Sequence, residues 1–250
     1  MQFENNRLAP PIWRHDAYTL KRLRTSIEAA LDRVAAAIRR LEPDRAILAY
    51  DIGSGNAPYR SLFVKRSIHY KTCDILFDEN EQSAPDVQIR SGDPICLDSS
   101  SADLIVSFQV LEHIWDLDWY LGEVKRLLKP DGHLVLSTHG SWLYHPHPTD
   151  YRRWTRDGLI KELEIRGFNV EMVCADVGPL AWTTQFRVLA YHHVLSRIWI
   201  FGSMLSALFC TFMYFRMFVE DFITPEKLKL NNAAVYTVVA VHTNLLSPAK

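Results

Sequence analysis

Cysteine is scarce in this chain, and the four that occur, Cys73, Cys96, Cys174 and Cys210, form no C-x-x-C pair and no metal-ligand spacing. That excludes a disulfide scaffold and a zinc ribbon, and it fits reduced thiols in a cytoplasmic protein. An excess of one charge is missing too. With 28 basic and 29 acidic residues the net charge is −1 and no long basic run occurs, so no nucleic-acid partner is expected. The first fifteen residues hold Glu4, Arg7, Pro10, Pro11 and Arg14 without an apolar run, which is not the pattern of a secretory signal. The ten glycines are sparse, and the last glycine of a dinucleotide fingerprint, G-x-G-x-x-G, would fall at Pro58, which argues against a nicotinamide site. Long apolar runs are absent with one exception, residues 198–215, which carry no charge between Arg197 and Arg216.

What is present points to one elaborated α/β domain of 250 residues. Leu20, Leu23, Ile27, Leu31, Val34 and Ile38 recur at steps of three and four, which predicts an amphipathic helix over 16–41. Apolar runs at 46–51, 67–74, 102–108, 133–138, 168–174 and 233–241 read as strands, the run at 102–108 nearly unbroken as in a parallel strand covered on both faces. Helices are expected at 117–128 and 157–166, the latter capped by Thr155 and ended by Gly167, with a turn at Lys129-Pro130-Asp131-Gly132. The expected division is a helical segment 1–45, a core 46–177, an apolar helical insertion 178–232, and a closing strand with its tail, 233–250.

The chemistry gathers at the first strand. Asp51-Ile52-Gly53-Ser54-Gly55 ends an apolar run in an acid and two spaced glycines, so backbone amides can approach a ligand at the carboxyl edge of a sheet. Asp51 is read as the strand's last residue. Asp74 closes the second strand nineteen residues beyond Gly55, where an acid can accept bonds from ribose hydroxyls.

In order, acid-x-Gly-x-Gly, the strand-end Asp74, Gly92-Asp93, the strand leading into Val110-Leu111-Glu112-His113, and Leu127-Leu128-Lys129-Pro130-Asp131-Gly132 resemble the small-molecule, type 11-like class I S-adenosylmethionine-dependent methyltransferases over residues 46–175. Ala57 stands where many members carry a third glycine. The resemblance implies a doubly wound, Rossmann-like sheet of seven mostly parallel strands with an antiparallel last strand, and S-adenosyl-L-methionine as cofactor. It implies that Asp51, Gly53, Ser54 and Gly55 line the methionine part, Asp74 the ribose, Asp93 the adenine, and Phe108, Gln109 and Val110 the floor below the sulfonium.

The loop 139–155 crowds histidines, aromatics and arginines around two prolines. His145, His147 and His113, in that order, are the candidate bases, and Trp142, Tyr144, Asp150, Tyr151 and Arg153 the candidate acceptor contacts. His147-Pro148-x-Asp150-Tyr151-x-Arg153-x-Thr155 is similar to a pattern in methyltransferases linked to bacterial surface glycans. A plainer role is also open, in which Asp150 and Arg153 pair to fix the loop. The histidines at 145 and 147 supply only two ligands, so no metal is expected.

The expected reaction is methyl transfer to a small or lipid-linked acceptor, a sugar or glycan intermediate favoured over a lipid or quinone. A non-catalytic cofactor-binding protein of the same fold is the contrasting reading. A single membrane crossing by the insertion would strand the final strand across the bilayer from its sheet. Residues 186–219 are therefore expected to meet a membrane surface peripherally, the acceptor, or a second subunit.

Overall fold

The computed structural model describes residues 7–75, 84–199 and 201–242, so the first six residues of the N-terminal segment and the tail beyond 242 lie outside it. The chain runs α1 (Ala17–Leu41), β1 (Ile47–Ile52), α2 (Arg60–Val64), β2 (Ile68–Asp74), β3 (Val87–Gln88), β4 (Ala102–Phe108), a 3-10 turn (Leu111–His113), α3 (Leu117–Leu127) and β5 (Leu128–His139). It continues with α4 (Arg156–Glu164), β6 (Phe168–Asp176), α5 (Pro179–Leu195), α6 (Gly202–Ile223), α7 (Glu226–Asn231) and β7 (Val235–His242). The strands form one sheet in the order β3-β2-β1-β4-β5-β7-β6, parallel except for β7, which runs antiparallel to both its neighbours. This is the seven-stranded, doubly wound sheet the sequence predicts, with the helical insertion before the last strand.

Alternation along each strand feeds two cores. On one face Leu23, Ile27, Leu31 and Val34 of α1 pack with Ile47, Ala49, Leu104, Val106, Val135 and Val239. On the other, Leu121, Val124 and Leu127 of α3 and Leu159 and Leu163 of α4 meet Ile105, Leu134, Leu136 and Val238. Each such side chain contributes about 1.5–3 kcal/mol on burial, which is why strands β1 and β4, buried on both faces, sit at the centre.

Three local expectations change. Asp51 is the penultimate residue of β1, because Ile52 still pairs with Cys73. Lys129-Pro130-Asp131-Gly132 is not a free turn but an irregular stretch within β5: the ladder steps from Ala102↔Leu128 to Leu104↔His133, leaving the four residues opposite Asp103 alone. Asp103 is buried and takes Lys129 Nζ at 2.8 Å, the Arg45 guanidinium and the Leu48 amide, while Arg45 also reaches Asp131 at 2.7 Å, so charge pairing holds the bulge against the sheet. Finally, β3 lies at 87–88, where the sequence pattern predicts no strand. Thr155 does cap α4, its Oγ1 accepting from Gly158 N at 3.1 Å.

Candidate active site

The carboxyl ends of β1, β2, β4 and β5 open onto three cavities that share walls. The first, of about 430 Å³, is lined by Asp51, Gly53, Ser54, Gly55, Asn56, Tyr59, Phe108, Gln109 and His147, with Arg7 and Arg14 from the N-terminal segment. A second of about 340 Å³ holds Gly53, Asp74, Ser91, Val110, His113, Trp119 and Tyr151. The third, of about 470 Å³, is bounded by Gln109, His113, His139, Trp142, His145, His147, Leu20, Leu23 and Leu189. Gly53 is common to the first two, while Gln109 and His147 are common to the first and third.

The glycine turn is shaped for a ligand's backbone approach. Gly53 has φ +80° and a Cβ there would lie 2.5 Å from Val110 Cγ2, so no other residue keeps this curve. Ala57, in place of the expected third glycine, also takes a positive φ of 49°, a conformation that costs an alanine more than a glycine. Asp74 folds back onto the turn: its carboxylate accepts from Gly55 N at 2.5 Å and Ile75 N at 2.7 Å, and burial raises its pKa. Asp51 is buried; Tyr70 donates a short hydrogen bond to its Oδ2, and Oδ1 has no protein partner among the described residues. Burial pushes its pKa up to about 7, against the Tyr70 bond, with Asp74 adding to the rise. A buried carboxylate oxygen without a donor, facing a cavity, suits a cationic ligand group.

Gln109 holds φ +59° at the end of β4, fixed by its amide to Ser137 O at 2.9 Å and by its side-chain Nε2 to Ser137 Oγ at 3.0 Å. Asp93 is exposed and does not line these cavities; its carbonyl accepts from Trp119 Nε1 at 2.9 Å, and Trp119 supplies the wall instead.

The loop after β5 carries the histidine basin. Glu112, fully buried, accepts from Thr138 Oγ1 at 2.8 Å, and His139 Nδ1 lies 2.7 Å from its Oε1 at an angle poor for a hydrogen bond. These contacts hold Glu112 below the usual carboxylate range although burial alone would raise it. His113 Nδ1 donates to Thr149 O, which leaves its other ring nitrogen as the acceptor, and its ring stacks on His145 at 5.1 Å. His145 also meets His139 edge-on at 4.8 Å, while His139 stacks on Trp142 at 5.2 Å. Burial first, then the neighbouring His139 and His113, lowers the His145 pKa to about 4. One donor atom each from Glu112, His113 and His145 lie within 4.8 Å of one another, a grouping that the spacing of His145 and His147 does not suggest.

Asp150 and Arg153 form a bidentate pair, Nη1 to Oδ1 at 2.5 Å and Nη2 to Oδ2 at 2.6 Å, and Asp150 Oδ2 also accepts from His145 N at 2.9 Å. Arg153 donates further to the carbonyls of Trp142 and Leu143. Both therefore brace the loop, and against the upward push of burial the Arg153 pairing and the His145 amide hold the Asp150 pKa at about 2. Of the other expected acceptor contacts, Trp142 lines the histidine cavity, Tyr151 the Asp74 cavity, and the exposed Tyr144 neither. The sequence reading misses Arg7, Arg14, Tyr59 and His139. His139 closes a strand beside the His-rich loop, a signal present in the sequence; the two arginines reach the cavity only through the tertiary course of the N-terminal segment.

Comparison with known proteins gives this geometry a family. A family model described as a methyltransferase domain matches residues 20–173. A probable S-adenosylmethionine-dependent methyltransferase of Mycolicibacterium smegmatis is 35% identical over 95 residues, 35% of this chain and 37% of that protein. One from Mycobacterium tuberculosis is 32% identical over 84 residues, 31% of each. The chain thus matches only about a third of the length of these curated relatives. A putative sarcosine dimethylglycine methyltransferase from Galdieria sulphuraria shares the fold with a TM-score of 0.55 at 13% identity, over 88% of this chain and 86% of that one. The CurJ carbon methyltransferase does so with 0.51 at 18% identity, over 83% and 51%. With the sheet order, the glycine turn and the family match in agreement, the chain belongs to the class I S-adenosylmethionine-dependent methyltransferases.

Proposed function

We propose that the protein transfers the methyl of S-adenosylmethionine to a hydroxyl of a small or lipid-linked, sugar-like acceptor bound in the histidine cavity. The observation that carries this is the shared wall: Gln109 and His147 border both the Asp51–Gly55 cavity and the basin of His113, His139, His145 and Trp142. In this reading Asp51 takes the cofactor's ammonium and Asp74 its ribose. Trp142 offers a ring face to a sugar, with the histidines and Gln109 as hydrogen-bonding partners.

When bound, S-adenosylmethionine would supply a methyl already activated on its sulfonium, and the acceptor hydroxyl would give up its proton to a histidine as it takes that methyl and S-adenosylhomocysteine is left. Holding the acceptor in line accounts for ~7 kcal/mol or more of barrier lowering. His147 is the base in this scheme, ahead of His145. A pKa of about 4 makes His145 a weak proton acceptor, and it serves as a neutral hydrogen-bond acceptor that orients the hydroxyl.

His147→Ala should lower kcat by roughly 10²-fold with cofactor affinity nearly intact. The measurement is S-adenosylhomocysteine release over a panel of free and lipid-linked sugars, lipids and quinones. Full activity in His147→Ala would remove the base assignment, and cofactor binding without turnover over the whole panel would mark a non-catalytic cofactor-binding protein.

A further inference from the structure

The α5–α6 hairpin leaves an apolar seam uncovered. Along α6, Leu205, Leu208, Phe212, Phe215, Val219 and Phe222 recur at steps of three and four, and each is between 42% and 81% exposed. The opposite face of the same helix, with Ser206, Cys210, Met217 and Asp221, is the one buried on the protein. With Met204 and Phe218 widening the seam, the exposed apolar area is on the order of 10³ Å², at ~150–250 Å² per aromatic side chain. That exceeds the ~300–600 Å² of the largest patch on a typical monomer and meets the ~800 Å² per partner of a stable interface.

We infer that this seam is a homodimer interface in which α6 packs antiparallel against α6 of a second copy. A two-fold axis requires a surface to be complementary to itself, and the seam meets that requirement. With Phe212 on the axis, Leu208 faces Phe215 of the partner subunit and Leu205 faces Val219 of the partner subunit, so each apolar step meets another. The charges of α6 disfavour a bilayer as the occupant. The helix has no lysine and its one cation, Arg216, is paired with Glu220 at 2.7 Å, so the seam itself offers no row of free cations to anionic headgroups. The interface would also steady the acceptor site, because α5 supplies Leu189 to the histidine cavity and its His192 both stacks on His15 at 4.3 Å and bonds Ser206 of α6 at 2.7 Å.

Two experiments test this. In sedimentation at micromolar concentrations without detergent, the wild type should have twice the 28.9 kDa protomer mass, and Phe212→Glu with Phe215→Glu should be monomeric with an unchanged far-ultraviolet circular dichroism spectrum. In a Cys96→Ser background, which removes an exposed thiol, F212C should cross-link to itself under mild oxidation, whereas L208C should cross-link efficiently only when mixed with F215C. A wild-type monomer overturns the inference, as does a monomer that floats with anionic vesicles through the same residues. A dimer that persists in the double glutamate variant, or one in which F212C fails to cross-link, places the interface elsewhere and equally overturns it.

Discussion

The proposed pairing of Asp51 with the cofactor's ammonium makes a pH-dependent affinity the expected outcome. Its carboxyl is 2% exposed and titrates at about 7, because burial outweighs the hydrogen bond from Tyr70. A cationic ligand pairs with the ionised form alone, so affinity should be complete above pH ~7 and fall by up to tenfold per unit below it, with a proton released from Asp51 on binding. The cofactor's α-amino group, near pH ~8 in reference compounds, should set an opposing limb on the alkaline side. Asp51→Asn removes the acid limb and a charge-assisted bond of ~1.5–3 kcal/mol, which weakens binding at neutral pH by roughly 10- to 150-fold. Tyr70→Phe deletes the bond that favours the carboxylate, so its acid limb should move to higher pH. Isothermal calorimetry of S-adenosylhomocysteine binding in two buffers of different ionisation enthalpy measures affinity and proton release together. A wild type whose affinity is flat from about pH 5.5 to 7.5, or an Asn variant that keeps the acid limb, refutes the reasoning.

The same linkage acts on stability at Asp176, buried between Ser26 and Thr237 and also titrating at about 7. Its folded pKa lies above the unfolded value near 3.9, so the wild type should lose up to ~4 kcal/mol as pH rises from about 4 to about 7; Asp176→Asn should melt higher than wild type at pH ~8, the gap closing toward pH ~4. Gly53→Ala meets both a positive φ and a Val110 contact of 2.5 Å, and should abolish detectable cofactor binding in calorimetry while the sheet still folds. Asp74→Ala removes the brace on Gly55 together with the proposed ribose acceptor and should weaken the cofactor by ~1.5–3 kcal/mol; an unchanged dissociation constant would show that the ribose lies elsewhere.

The glycine turn at the carboxyl edge of the sheet was legible because its signals are local. Asp51, Gly53 and Gly55 alternate within one short stretch, and Asp74 follows at a distance set by one helix and one strand. The strands of the sheet centre were legible as apolar runs because both their faces are buried. What escaped was short or depended on distant partners. Two residues, Val87 and Gln88, are too few to show a period, and they pair only because β2 offers an open edge. Lys129-Pro130-Asp131-Gly132 has turn composition, yet Asp103 and Arg45, far away in sequence, press it onto the sheet. Asp150 and Arg153 carried two readings from sequence, and in the structure they hold each other and the loop carbonyls. The low basicity of His145 was not legible, because it comes from burial first and then from the neighbouring rings of His139 and His113, which the fold rather than the spacing brings together.

The position of β7 between β5 and β6 fixes the order in which a nascent chain can mature. Until residues 235–242 leave the ribosome, β6 has no neighbour in the sheet, although everything that builds the cofactor turn has already been made. The His-rich loop waits as well. Its first two amides, Gly140 N and Ser141 N, are anchored on Ala234 O at 2.8 and 3.1 Å, and a Cβ at residue 140 would lie 2.4 Å from Ala233 O. A translation intermediate stalled before Ala234 therefore exposes an unpaired strand and the apolar hairpin together, the kind of species on which chaperones act, and its His-rich loop lacks the Ala234 anchor.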